Sequence, residues 1–270
     1  MQSGPRKILS AFALIILFVS VLACGSTPTA LPATNTPNVP PTEAFTPTFT
    51  PIPLYQVVNL VSNPTNDAGT SPVYTVQAET PFLQRSEDQR VINFNNEMAL
   101  LTQEEIAKFK DNVAQTQPIP GLAGSAYVQK YQLLSPPGNL ISIKFSINIY
   151  IEGAAHPGTH SRTVTYDLEA GADLSLAQLF KPGSNYLEQI ANYCIAQLKT
   201  RNIGFEAFTS GAQPLPENYG NWNITPDGLL ITFDEYQVAA YAAGAQEVVV
   251  PYAELQSIIA PNGPLAGFLH

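Results

Sequence analysis

The chain has 270 residues, of which 45% are hydrophobic and 12% charged, and its 21 acidic residues against 12 Lys and Arg give a formal net charge of −9 at pH 7. An acidic surface repels a phosphate backbone, which weighs against nucleic acid as a partner and favours a basic protein or a cationic wall component. The two cysteines, Cys24 and Cys194, are too few for a disulfide framework, so the fold must rest on its hydrophobic core.

Arg6 and Lys7 precede an apolar run from Ile8 to Ala23 that is shorter than the roughly 20 residues a membrane span needs. The run ends in Val21-Leu22-Ala23-Cys24-Gly25, with a small residue before a cysteine, as signal-peptide cleavage requires. This resembles the bacterial lipobox, although Leu22 is bulkier than the Ala or Ser usual at that place. Residues 1–23 are thus predicted to be a lipoprotein signal peptide and Cys24 the lipidation site. The other reading is an uncleaved anchor helix with an incidental cysteine. Both place the rest of the chain outside the cytoplasm at a membrane surface. Without Arg6 and Lys7, ten basic residues face 21 acidic ones, a net charge of −11. Residues 24–54 are dominated by Thr and Pro, which favours an extended linker, reaching at most about 3.1 Å per residue.

The folded part is predicted to be α+β, with an N-terminal subdomain over residues 55–170 and a smaller C-terminal one over residues 171–270. Tyr74 to Ala78 reads as a short strand closed by Pro81. From Asp88 to Val113, Val91, Phe94, Met98, Leu101, Phe109 and Val113 recur at spacings of three and four for most of the run, the stripe of a long amphipathic helix. Thr102-Gln103-Glu104-Glu105 matches a capping box and suggests a break at Thr102. Ala126 to Leu134 and the strict alternation of Ile141, Ile143, Phe145, Ile147, Ile149 and Ile151 predict antiparallel strands covered on one face, joined at Ser135-Pro136-Pro137-Gly138-Asn139. Val164, Tyr166 and Leu168 continue the meander, which is expected to pack on the long helix.

Beyond Gly171, Ser175 and Gln178 form a capping box for a short helix, Leu176 to Phe180. Ser184 is then expected to cap a helix carrying Leu187, Ile190, Cys194 and Leu198 on one face, which makes Cys194 a buried thiol. Strands Trp222 to Thr225 and Leu229 to Phe233 flank a turn at Pro226-Asp227-Gly228. A loop through Tyr236 and Tyr241, a strand Glu247 to Val250 and a short helix from Pro251 complete the tail.

Several phrases in this order resemble one bacterial family: Tyr150-Ile-Glu-Gly-Ala-Ala-His156, Tyr166-Asp167-Leu168, Leu174 to Gly183, Asp227 to Phe233, Tyr236 to Gly244 and Val248 to Tyr252. The family is the extracytoplasmic pair of domains of unknown function found in the anti-sigma factor RsiV and beside the catalytic domain of the peptidoglycan deacetylase PdaC, and the resemblance runs from about Tyr74 to Ile259. Gly153-Ala154-Ala155-His156 replaces the family's Gly-Gly-Ala-His, and Ala239-Ala240-Tyr241 its Ala-Pro-Tyr. In RsiV the domain binds lysozyme, so the resemblance implies recognition of a lysozyme-like muramidase or of peptidoglycan. The few residues ahead of the apolar run leave no room for a signalling segment, and no phrase matches the deacetylase's catalytic domain. The expectation is a non-catalytic recognition module, tethered by lipid.

The candidate site residues are Gly153, His156 and His160 on the turn after the long strand, and Tyr236 and Tyr241 on the later loop. Pro157-Gly158 between the two histidines excludes the helical metal-binding spacing. A hairpin metal site with Asp167 or Glu169 stays open, as does a hydrolase using His156 and His160, but no strong third ligand accompanies them and Ser161 lacks a nucleophile elbow. Neither a metal nor another cofactor is expected, and a structural role at the turn suits His156. For Tyr236 and Tyr241, with Trp222 and Tyr219, the alternatives are a binding surface and a plug closing the core. A structural envelope protein without a soluble ligand is the remaining reading.

Overall fold

A computed structural model describes residues 59–84, 87–134 and 139–268. The predicted signal peptide, the lipidation site Cys24, the linker and most of the Ser135 to Asn139 turn lie outside the described residues. Among the described residues no helix is long and apolar enough to cross a membrane.

The fold is α+β and begins with a six-stranded sheet, ordered β1-β2-β3-β4-β5-β6. Its strands are β1 (Leu60–Thr70), β2 (Val73–Leu83), β3 (Ser125–Leu133), β4 (Leu140–Tyr150), β5 (Gly158–Asp167) and β6 (Ala172–Asp173). Neighbours run antiparallel except β2 and β3, which are parallel because helix α1 (Gln89–Ala114) crosses between them. The predicted meander therefore holds from β3 onward, and α1 lies across the sheet. Its stripe of Val91, Phe94, Met98, Leu101, Phe109 and Val113 is buried, together with the inward residues Ile143, Phe145 and Ile147 of β4. Burial of side chains of this size contributes about 1.5–3 kcal/mol each.

No break occurs at Thr102. The Asp88 carboxylate caps α1 by accepting from Arg90 N at 2.9 Å, and no Gly or Pro interrupts the run. The Thr102 hydroxyl instead joins a buried relay, accepting from Gln129 Nε2 at 2.9 Å and bonding Thr80 Oγ1 at 3.1 Å. Tyr127 Oη donates to Gln129 Oε1 at 2.6 Å.

The second core surrounds a three-stranded antiparallel sheet of β7 (Trp222–Ile224), β8 (Gly228–Phe233) and β9 (Gln246–Pro251), packed against helix α2 (Tyr186–Lys199). The short helix α3 (Tyr252–Leu255) follows directly. The Ser175 and Gln178 capping box forms around a single 3₁₀ turn, Leu176–Leu179. Asn185, not Ser184, occupies the N-cap position of α2. Cys194 is buried on α2, and burial pushes its thiol up to about 12, so it is inert packing.

Only part of the outer face of β4 meets solvent. The Asn223 amide donates to Ser142 Oγ at 2.9 Å and to Ile143 O at 3.0 Å, while Ile224 N donates to the same Ser142 Oγ. β7 thus covers the beginning of β4, and Ser142, which the alternation of β4 puts on the face away from the core, becomes a buried partner of Thr165.

Candidate ligand-binding site

The turn from β4 to β5 needs a left-handed residue, which Gly153 supplies at φ 88°. A Cβ there would also approach Ile119 Cδ1 to 3.2 Å. The turn projects His156 into solvent. Its Nδ1 lies 2.8 Å from Pro157 O, so this nitrogen carries the proton, and the Tyr241 hydroxyl donates to the same carbonyl at 3.0 Å.

The two rings stack, with centroids 3.9 Å apart and planes at 24°. Tyr236 continues the stack, its centroid 5.7 Å from that of Tyr241 at 27°. Three of the predicted site residues, 80 and more positions apart across the two segments, form one aromatic shelf. Tyr236 is 56% exposed and has φ 68°, the only non-glycine residue with positive φ among the described residues.

What brings the second segment here is the outer edge of β5. This edge is paired with β6 only at Tyr166 and Asp167, so the earlier N–H groups need other acceptors. The residues after β8 supply them. Thr159 N donates to Glu235 Oε2 at 3.0 Å and Ser161 N to Asp234 Oδ1 at 2.8 Å. Asp234 also accepts from Asn221 Nδ2 at 3.1 Å. Burial raises the Asp234 carboxyl above its ordinary range, with the Ser161 bonds, His160 and Asn221 opposing. Gln237 then ties the loop down, donating from Nε2 to Gly211 O and Asn218 O, both at 3.0 Å, while Val238 and Ala239 are buried.

Below the shelf lies an apolar depression of about 420 Å³ lined by Ile149, Ile151, Ala154, His156, His160 and Tyr236, among others. His160 and Ile149 also line a polar groove of about 580 Å³ between α1 and β5. Alternation along β5 puts His160 and Arg162 on the face toward α1, where both meet Glu105. His160 Nε2 lies 3.3 Å from Glu105 Oε2, Arg162 Nη1 donates to Oε1 at 3.3 Å, and Lys108 Nζ donates to Oε1 at 2.8 Å. The Glu105 side chain is only 7% exposed. Burial pushes its carboxyl up, but the bonds and charges of Lys108 and His160 outweigh this and hold it below the ordinary value.

Asp167 and Glu169 are not brought to His160. Asp167 pairs with Leu140 at the far end of β5, and its carboxylate accepts from Glu169 N and Ala170 N, closing its own turn. Tyr219 and Trp222 are buried and belong to the second core, so the aromatic set divides into core (Tyr219, Trp222) and surface (Tyr236, Tyr241). Among the described residues no three His, Cys, Asp or Glu are grouped to hold a metal ion. Sequence reasoning missed Glu105, Arg162, Asp234 and Glu235. A signal existed for Glu105, because it is the carboxylate sitting between Leu101 and Phe109 on the apolar stripe of α1.

Known proteins place this geometry in context. The chain is 27% identical over 198 residues to the peptidoglycan-N-acetylmuramic acid deacetylase PdaC of Bacillus subtilis, covering 72% of this chain and 39% of that protein. It is 33% identical over 101 residues to an esterase of Mycobacterium tuberculosis, covering 37% of this chain and 44% of the esterase. The chain therefore spans less than half the length of either curated relative. Two crystal structures of DUF3298 family proteins share the fold. The one from Bacteroides fragilis has a TM-score of 0.60 at 16% identity, covering 78% of this chain and 96% of that one. The one from Pseudomonas aeruginosa has a TM-score of 0.57 at 18% identity, covering 76% and 94%. Residues 177–253 match the family model of the protein of unknown function DUF3298, so the chain contains a DUF3298 domain built on the second core and on the loop that carries Tyr236 and Tyr241.

Proposed function

We propose that the folded part is a non-catalytic recognition module that binds peptidoglycan, held outside the cytoplasm by lipid at Cys24. The observation that carries this reading is the exposed stack of His156, Tyr241 and Tyr236 above an apolar depression. Saccharide rings present C–H faces that pack on aromatic faces, and rigid aromatic rings give large contact area at small entropic cost. The likeness to a deacetylase named for peptidoglycan supports the same ligand class. A second reading, a lysozyme-like muramidase as ligand, is favoured by the net charge of −9, which attracts basic proteins.

The test is co-sedimentation of the full chain, in detergent, with purified peptidoglycan sacculi, alongside calorimetric titration with a lysozyme and an unrelated basic protein. Saturable co-sedimentation that falls at least tenfold in Tyr241→Ala is expected, about the 1.4 kcal/mol or more that losing an aromatic contact costs. Saturable binding to lysozyme, with no binding to sacculi or to the basic control, would replace the ligand with a muramidase. Binding to none of the three would overturn the recognition reading.

A further inference from the structure

We infer that the groove between α1 and β5 is an anion subsite beside the aromatic shelf, and that the ligand carries a carboxylate next to its saccharide part, as a muropeptide does. This rests on the peptidoglycan reading and specifies which part of that polymer is read. In an acidic chain, two permanent cations, Lys108 and Arg162, converge with His160 on one buried carboxylate, that of Glu105. One carboxylate balances one of them. The lining groups therefore retain one net positive charge with His160 neutral and two with it protonated.

The remaining charge faces outward. The Lys108, Arg162 and His160 side chains are 62%, 42% and 41% exposed, whereas the carboxylate between them is at the floor. The acidic neighbours stand outside the groove's own lining: Asp234 and Glu235 line the depression under the shelf and accept from Ser161 N, Asn221 and Thr159 N, and Glu97, Glu104 and Asp173 line a separate depression that Arg162 also borders. The exposed Lys108 ammonium lines the groove, and His160 stands where the groove meets the depression under the shelf. Asn112 and Asn221 add amide groups on the lining. His160 and Ile149 line both concavities, so the groove adjoins the depression under the rings.

A neutral glycan has no use for such an end. A disaccharide bearing a peptide offers free carboxylates beside its sugar rings, and a carboxylate bonded by Lys or Arg makes a strong, charge-assisted contact. Glu105 then acts as an internal competitor that orients the cations and limits their affinity.

The experiment measures binding of the full chain in detergent to three probes: a purified disaccharide-peptide muropeptide with free carboxylates, the same fragment with its carboxylates amidated, and the neutral N-acetylglucosamine tetramer. The acid fragment is expected to bind most tightly, with affinity that falls as salt rises. Lys108→Gln, at a side chain that is 62% exposed, lowers that affinity about fivefold and leaves the two neutral probes unchanged. Glu105→Gln shifts it in the opposite direction. Equal affinity for acid and amidated fragments, or a Lys108→Gln variant indistinguishable from the parent on the acid fragment, overturns the subsite while leaving saccharide recognition standing. Loss of all three probes in the parent chain overturns both.

Discussion

The two sheets bury their cores by different means. In the first, β4 and α1 are long elements with clean periods, and each shows one apolar face to the other. In the second, the three-residue β7 and six-residue β8 are buried throughout, β9 is buried on one face, and the core is completed by short helical turns. The first sheet leaves the outer edge of β5 unpaired over its first half. The second covers that edge with carboxylates from the residues after β8. The lesson is that the candidate site belongs to the junction: the turn comes from one half, the loop from the other, and the outer edge of β5 holds them together.

The largest expected effects test whether the halves share their stability. Phe145 and Phe233 are fully buried, one in each core. Phe145→Ala and Phe233→Ala are each expected to cost about 3–5 kcal/mol in denaturant unfolding, through lost transfer free energy and the cavity left behind. Both variants are expected to show one shared transition at a lower midpoint. Two transitions, with only one moved by each variant, would break the picture of a joint structure.

Next comes the staple itself. Asp234→Ala strips the acceptor from Ser161 N and from the Asn221 amide, which is expected to cost about 1–3 kcal/mol. Amide exchange at Ser161 is expected to accelerate, while that in α1 follows global stability alone. Because burial raises the Asp234 carboxyl, the folded state holds its proton more tightly than the unfolded chain does. Its contribution therefore favours folding below the ordinary carboxylate range and declines as pH rises through the folded value. An Asp234→Asn variant is expected to flatten that part of the stability profile.

A smaller effect is confined to the first half. The Arg90 side chain and backbone hold the Asp88 carboxyl down at about 2, below its usual 3.8. Asp88→Ala removes the N-cap of α1, a loss expected near 1 kcal/mol at pH 7, with the ion pair adding little because both partners meet solvent. With the folded value depressed, that stabilisation is present above the ordinary carboxylate value and is lost as pH falls toward 2. The gap between parent and variant, followed by circular dichroism, is expected to close over that window. A gap that persists unchanged at pH 2 would remove the carboxylate's charge from the explanation.

These tests also separate what was legible from what was not. The alternation of Ile141 to Ile151 and the three-and-four stripe of α1 located β4 and the helix, because each element has one partner surface and enough length to show a period. The strand β1 showed nothing: Leu-Val-Ser-Asn-Pro-Thr-Asn-Asp-Ala-Gly-Thr has no alternation, and its place depends on backbone pairing to β2 and on contacts of Leu60 and Asp67 that no local pattern announces. The shelf residues were identifiable singly as aromatic or turn residues. Their assembly was not, because Tyr241 reaches Pro157 across 84 positions and His160 reaches Glu105 across 55. Local patterns carry no information about contacts of that separation. The readable trace was the misplaced carboxylate on the stripe of α1.

The smallest expected effect bears most directly on the shelf. An L-residue in the left-handed region costs of order 1 kcal/mol, and Tyr236 sits there at φ 68° with its ring more than half exposed, where burial returns little. Tyr236→Gly removes the backbone strain and the ring together, whereas Tyr236→Ala removes the ring and keeps the strain. The glycine variant is therefore expected to be more stable than the alanine variant by about 0.5–1 kcal/mol in denaturant unfolding, while both lose binding to sacculi alike. That outcome would mean the strained tyrosine is retained for what its ring contacts. If both variants bind sacculi as the parent does, the ring is only the end of a turn, and the shelf reduces to the pair His156 and Tyr241, whose contact through the Pro157 carbonyl does not involve Tyr236.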